Sequence, residues 1–117
     1  MLDTIVAMGF DIIELTGNHN NDWGVDSNIA TINKYHELGI KTFGGGLNKE
    51  EAAKPLELED KGTKVTWLGI NQSTSTIANG QGASENHPGA NIYDEELTKS
   101  QIAATKERGD FVIVDIQ

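Results

Sequence analysis

An α/β fold is predicted, with a mostly parallel sheet, flanking helices and one β-hairpin. Two patterns in the 117-residue chain carry that expectation. Three times a helix-like segment stops at a glycine and passes directly into a strand-like run: Ala7-Met8-Gly9-Phe10 into Asp11-Ile12-Ile13, Glu37-Leu38-Gly39-Ile40 into Lys41-Thr42-Phe43, and Glu107-Arg108-Gly109-Asp110 into Phe111-Val112-Ile113-Val114. Glycine just past a helix takes the left-handed conformation at no steric cost, and the apolar residue after it packs back on the helix. Repeated joints of this kind imply crossover connections, hence parallel strands. The second pattern is the alternation in Leu56-Glu57-Leu58-Glu59 and in Thr63-Lys64-Val65-Thr66-Trp67-Leu68, on either side of Asp60-Lys61-Gly62. It reads as a β-hairpin near a sheet edge, where Lys and Glu face water.

In chain order, a helix opens the sequence and Phe10 to Leu15 forms the first strand. From Val25 to Leu38, Val25, Ile29, Ile32 and His36 recur at helical spacing, with Asp26 or Ser27 able to cap the start. This predicts a helix packed on the sheet and makes His36 a packed or capping residue rather than a ligand. Gly44-Gly45-Gly46 reads as a flexible turn; the alternative is a backbone cradle for an anion, as in a nucleotide-binding domain, though the Lys of a P-loop is missing. Asn48-Lys49-Glu50-Glu51 resembles a capping box opening a short helix that Pro55 ends. Residues 71–91 are rich in Ser, Thr, Asn and Gly and read as a long loop of the functional kind, carrying His87 and the glycosylation sequon Asn71-Gln72-Ser73. A last helix spans about Tyr93 to Arg108, with Asp94, Glu95 and Glu96 in its first turn and Lys106 and Arg108 in its last, as the helix dipole favours.

Composition narrows the function classes. The length suits a single domain over residues 1–117. The longest apolar run, Phe111-Val112-Ile113-Val114, is far short of the roughly 20 residues of a membrane span, and no signal segment opens these residues. A formal charge of -9 repels a phosphate backbone, so nucleic acid is not expected as a partner. The absence of cysteine excludes disulfides and thiolate metal sites.

The most informative residues are Leu15-Thr16-Gly17-Asn18-His19-Asn20-Asn21-Asp22. They begin where the first strand stops, which in an open α/β sheet is the edge where ligands bind. Asn18 offers a neutral oxygen to a hard or borderline metal, and His19 offers a nitrogen ligand or a proton donor. The turn therefore reads as one corner of a metal-dependent phosphoesterase site, or else as an ordinary Asn/Gly turn that contains a histidine.

Several segments in order resemble a known family: Gly9-Phe10-Asp11-Ile12-Ile13, Leu15-Thr16-Gly17-Asn18-His19 with Asp22 and Gly24, Leu38-Gly39-Ile40, Gly44-Gly45-Gly46-Leu47-Asn48, Glu50-Glu51-Ala52, Pro55-Leu56, Val65-Thr66-Trp67-Leu68-Gly69, Pro88-Gly89 and Asp110-Phe111-Val112-Ile113-Val114. Together they resemble the bacterial capsule-synthesis (poly-γ-glutamate biosynthesis) family of the calcineurin-like metallophosphatase superfamily. The resemblance implies a larger α/β/β/α sandwich with a two-metal centre at strand ends, of which this chain is an internal fragment. It implies Asn18 and His19 at the metals (Mn, Fe, Zn or Mg), with His19 also acting as general acid or steadying phosphoryl oxygens. Where many superfamily members carry an acidic residue to orient that His, this chain has Asn20; Asp22 is a candidate for the role, and equally for a turn or helix cap.

The resemblance also implies an aspartate-bearing strand before Met1 and histidine-bearing loops after Gln117. The chain alone is therefore expected to hold no metal, to be inactive or nearly so, and to form homo-oligomers through open strand edges. For the intact parent it implies a cell-surface, membrane-associated location on the extracytoplasmic side. The partners implied are an anionic surface polymer or its synthesis and export machinery. A non-catalytic scaffold or polymer-handling role is the alternative.

Overall fold

The three helix-glycine-strand joints set the architecture. In the computed structural model, which describes the backbone of residues 2–117 and the side chains of residues 3–117, Gly9, Gly39 and Gly109 have φ of 76°, 73° and 79°. Each glycine closes its helix, and the next residue reaches back across it: Ile40 N donates to Tyr35 O at 2.9 Å and Asp110 N to Thr105 O at 3.3 Å. The joints deliver helix α1 (Leu2–Ala7) into strand β1 (Ile12–Glu14), α2 (Val25–Glu37) into β2 (Lys41–Phe43), and α5 (Glu95–Glu107) into β7 (Phe111–Ile116). Between them lie β3 (Gly45–Gly46), α3 (Lys49–Ala52), β4 (Leu56–Asp60), β5 (Thr63–Ile70), α4 (Thr74–Ala78) and β6 (Gly89–Ala90).

The crossover pairs are parallel: β1 with β2, Ile12 opposite Lys41, and β5 with β7, Val65 opposite Phe111. The predicted hairpin is β4–β5, antiparallel with Leu56 opposite Trp67. Its two-residue turn has positive φ at both Lys61 (49°) and Gly62 (82°), the conformation that matches the twist of the paired strands. β3 and β6 add a short second antiparallel pair, and the whole is the expected α/β fold, with parallel crossover pairs beside a hairpin.

Three local expectations need correction. Helix α2 is capped by Gly24 with no side-chain bond, so neither Asp26 nor Ser27 caps it. Its buried stripe is Asn28, Ile32 and Tyr35, and His36, one residue further round the helix, is exposed. The Gly44-Gly45-Gly46 run is neither a flexible turn nor an open cradle, since all three residues are buried. A Cβ at Gly44 would lie 2.4 Å from Thr16 Cγ2 and 3.0 Å from Gly69 Cα; at Gly45 it would lie 2.5 Å from Leu15 O. These glycines let the end of β2 cross against the ends of β1 and β5.

The long polar segment is also more ordered than a loop, because it contains α4 and β6. Its Asn91 joins the small sheets: Asn91 N donates to Gly44 O at 2.9 Å, its Nδ2 to Gly69 O at 2.8 Å, and Asn71 N donates to Asn91 O at 2.7 Å. Ile32, Tyr35, Ile40, Phe43, Ala52, Leu68, Ile70 and Ala90 form the apolar core, and Thr16 and Asn71 are buried with it at the strand ends.

Candidate functional site

The C-terminal ends of β1, β5 and β7 meet. Asn71, just past β5, is fully buried and donates from Nδ2 to Thr16 O, just past β1, at 2.7 Å. Past β7, Gln117 continues the ladder, its N donating to Ile70 O at 3.0 Å and its O accepting from Gln72 N at 2.8 Å. From there Gln117 Nε2 donates to Asn18 Oδ1 at 3.0 Å. The turn that carries Asn18 and His19 thus stands over three strand ends, the position from which side chains of an α/β sheet reach a ligand.

The turn is held by its own asparagines. Asn20 Nδ2 donates to Leu15 O at 2.8 Å and so braces the backbone. Asn21 Nδ2 donates to Gly80 O at 3.0 Å and Pro88 O at 2.9 Å, and its Oδ1 accepts from Asn28 Nδ2 at 2.8 Å. Those bonds fix residues 16–22 between α2 and the segment 80–88.

Within this frame His19 Nδ1 lies 2.7 Å from Asp22 Oδ2. An ionised carboxylate only accepts, so Nδ1 carries a proton and Nε2 is the ring nitrogen left for other chemistry. The side chains are 75% and 45% exposed, so the pair adds little to stability. Its consequence is the orientation of the imidazole.

The structure thus brings Asn18, His19 and Asp22 to one turn. Asn18 Oδ1 and His19 Nε2 are two donors, fewer than the four or more that a divalent cation takes. Among the described residues no three His, Cys, Asp or Glu side chains group as metal ligands. These residues alone do not fit a metal centre.

The other histidines lie elsewhere. His36 Nε2 is 3.3 Å from Thr42 Oγ1 and 3.7 Å from Glu51 Oε1, in a cleft it lines with Lys41, Gly45 and Lys54. His87 is half-buried and its backbone pairs with Ser84, N to O at 3.4 Å and O from N at 3.0 Å. The sequon is closed, since the Asn71 amide is enclosed and already donating to Thr16 O. Sequence reasoning missed Asn91, whose role depends on contacts with residues far along the chain.

Residues 1–117 match the family model described as "Bacterial capsule synthesis protein PGA_cap". The chain is similar to the PGA biosynthesis protein CapA of Bacillus subtilis (strain 168), 26% identical over 108 residues that make up 92% of this chain and 28% of that protein. It is also similar to the capsule biosynthesis protein CapA of Bacillus anthracis, 25% identical over 111 residues, 92% of this chain and 26% of that protein. The chain spans about a quarter of the length of these curated relatives.

Proposed function

Because the chain belongs to the bacterial capsule synthesis protein family PGA_cap, we propose that in the whole protein it supplies one corner of a metal-dependent phosphoester-cleaving site. That site would serve the synthesis or export of an anionic surface polymer of the poly-γ-glutamate kind, on the extracytoplasmic side of the membrane. The observation that carries the reading is the His19–Asp22 pair, 2.7 Å apart, on the turn that also presents Asn18 over converging strand ends.

The doubly protonated His19 ring, held through Nδ1, gives its Nε2 proton to the leaving oxygen as water attacks phosphorus and the phosphorus–oxygen bond breaks, which leaves the neutral Nδ1–H ring. Asp22 keeps the ring turned for that transfer. Asn18 offers its amide oxygen to a cation whose remaining ligands come from residues outside this chain. Such a cation, when bound, would neutralise charge on the phosphoryl oxygens.

The test is manganese-dependent turnover of an alkyl phosphodiester by the full-length protein. His19→Ala should lower kcat by about 10²–10⁴-fold, the usual worth of a positioned acid. Metal binding without any turnover would instead leave the non-catalytic role, a scaffold or polymer-handling component.

A further inference from the structure

Asp22 accepts a second hydrogen bond, and its donor has no part in the site so far. Gln81 Nε2 donates to Asp22 Oδ1 at 3.0 Å, while Asp22 Oδ2 faces His19 Nδ1 at 2.7 Å. Gln81 is 7% exposed, and its Oε1 accepts from Asn21 N at 2.6 Å. That second bond fixes which way the amide points. A backbone N–H can only donate, so Oε1 must face Asn21 and the NH₂ group must face the carboxylate.

We propose that Gln81 is a positioning residue for His19, acting through Asp22. The inference rests on the reading of His19 and Asp22 given above. The physical reason is exposure. A carboxylate that is 45% exposed and anchored only to a 75% exposed imidazole can turn about its own side-chain torsions and exchange its partner for water. Gln81 is buried, and it is held by the same turn it serves. Its donation pins one carboxylate oxygen and aims the other at Nδ1, as outer hydrogen bonds orient a histidine's partner elsewhere. It also links residues 71–91 to the site, since α4 (Thr74–Ala78) and Gly80 lead directly into Gln81.

The test reads the His19 tautomer, which a purely structural role would leave alone. In the full-length protein labelled with 15N-histidine, with His19 assigned by the loss of its signals in His19→Gln, the neutral ring should be mainly the Nδ1–H form. Asp22→Ala should shift it toward the Nε2–H form. Gln81→Leu should do the same, with a severalfold fall in the Nδ1–H to Nε2–H ratio. Gln81→Glu is the second variant: it keeps the size and the acceptor for Asn21 N but cannot donate to Asp22. It should shift the tautomer in a protein whose amide spectrum is otherwise folded.

An independent readout needs no change at Gln81: its side-chain NH₂ resonances should move in Asp22→Ala. Wild-type tautomer ratios in both Gln81 variants, with the ratio changed in Asp22→Ala, would overturn the proposal and leave the His19–Asp22 pair standing. No change in Asp22→Ala would remove the pair itself, and the proposed function with it.

Discussion

Asn71 is enclosed and fully used. It donates to Thr16 O, its Oδ1 accepts from Ser73 N at 2.9 Å, and its backbone bonds to Asn91 and Tyr93. Asn71→Ala leaves the Thr16 carbonyl buried without a donor and should cost about 1–3 kcal/mol in a urea titration. Asp110 gives the pH counterpart. Burial pushes its carboxyl up, but hydrogen bonds from Thr66 (3.0 Å) and Arg108 (3.1 Å), with the charges of Arg108 and Lys64, outweigh this and hold its pKa below the ordinary carboxylate value. A lowered folded-state pKa adds stability that is complete above the unfolded value, about 3.9, and is lost as pH falls through the folded one. The urea midpoints of wild type and Asp110→Asn should therefore differ steadily near neutral pH and converge below about pH 4. A gap independent of pH would contradict the sign. At this scale the sequence was legible where chemistry is local, as in the turn from Thr16 to Asp22. Gln81 and Asn91 looked like two more polar residues in a polar segment, because their partners lie up to 60 residues away.

Elements were legible where a short-range rule decides them. The glycine stops, the hairpin turn and the cap of α3, where Asn48 Oδ1 accepts from Glu51 N at 2.9 Å, obey such rules. By contrast, α2 starts at Gly24 without a side-chain cap, and Asp94, read as lying inside the last helix, is its cap, Oδ1 accepting from Leu97 N at 2.9 Å. Asp94→Ala should lower stability by about 1 kcal/mol. What a segment packs against was not legible, which is why Gly44-Gly45-Gly46 read as a turn and β6 as loop. Two glycines separate the effects. Gly9→Ala introduces a Cβ that meets nothing within 4 Å, so its cost is the left-handed strain alone, about 1–2 kcal/mol. Gly44→Ala has the same strain and also drives a methyl into Thr16 and the Gly69 backbone, adding about 1–3 kcal/mol. Equal thermal shifts for the two variants would show that the sheet ends do not cross tightly at Gly44.

Over the whole molecule the chain forms a slab of 40 × 35 × 20 Å, about the thickness of a sheet with one layer of helices. Apolar side chains remain uncovered on β7, where Phe111 is 67% and Ile116 63% exposed, and near α1, where Met8 is 67% exposed. β7 also has a free edge among the described residues. Such surface recruits other chains, and a charge of -9 is screened beyond about 10 Å in moderate salt. The isolated chain should therefore associate in sedimentation equilibrium, and a clean monomer at high micromolar concentration would contradict that. The family was legible in the order of segments along the chain. The claim that His19 protonates a leaving group is tested most directly by varying that group in the full-length protein. With an alkyl leaving group His19→Ala should lose about 10²–10⁴-fold in kcat. With p-nitrophenolate, which departs without a proton, the loss should nearly vanish. Equal losses on both substrates would mean that His19 does not act as the acid.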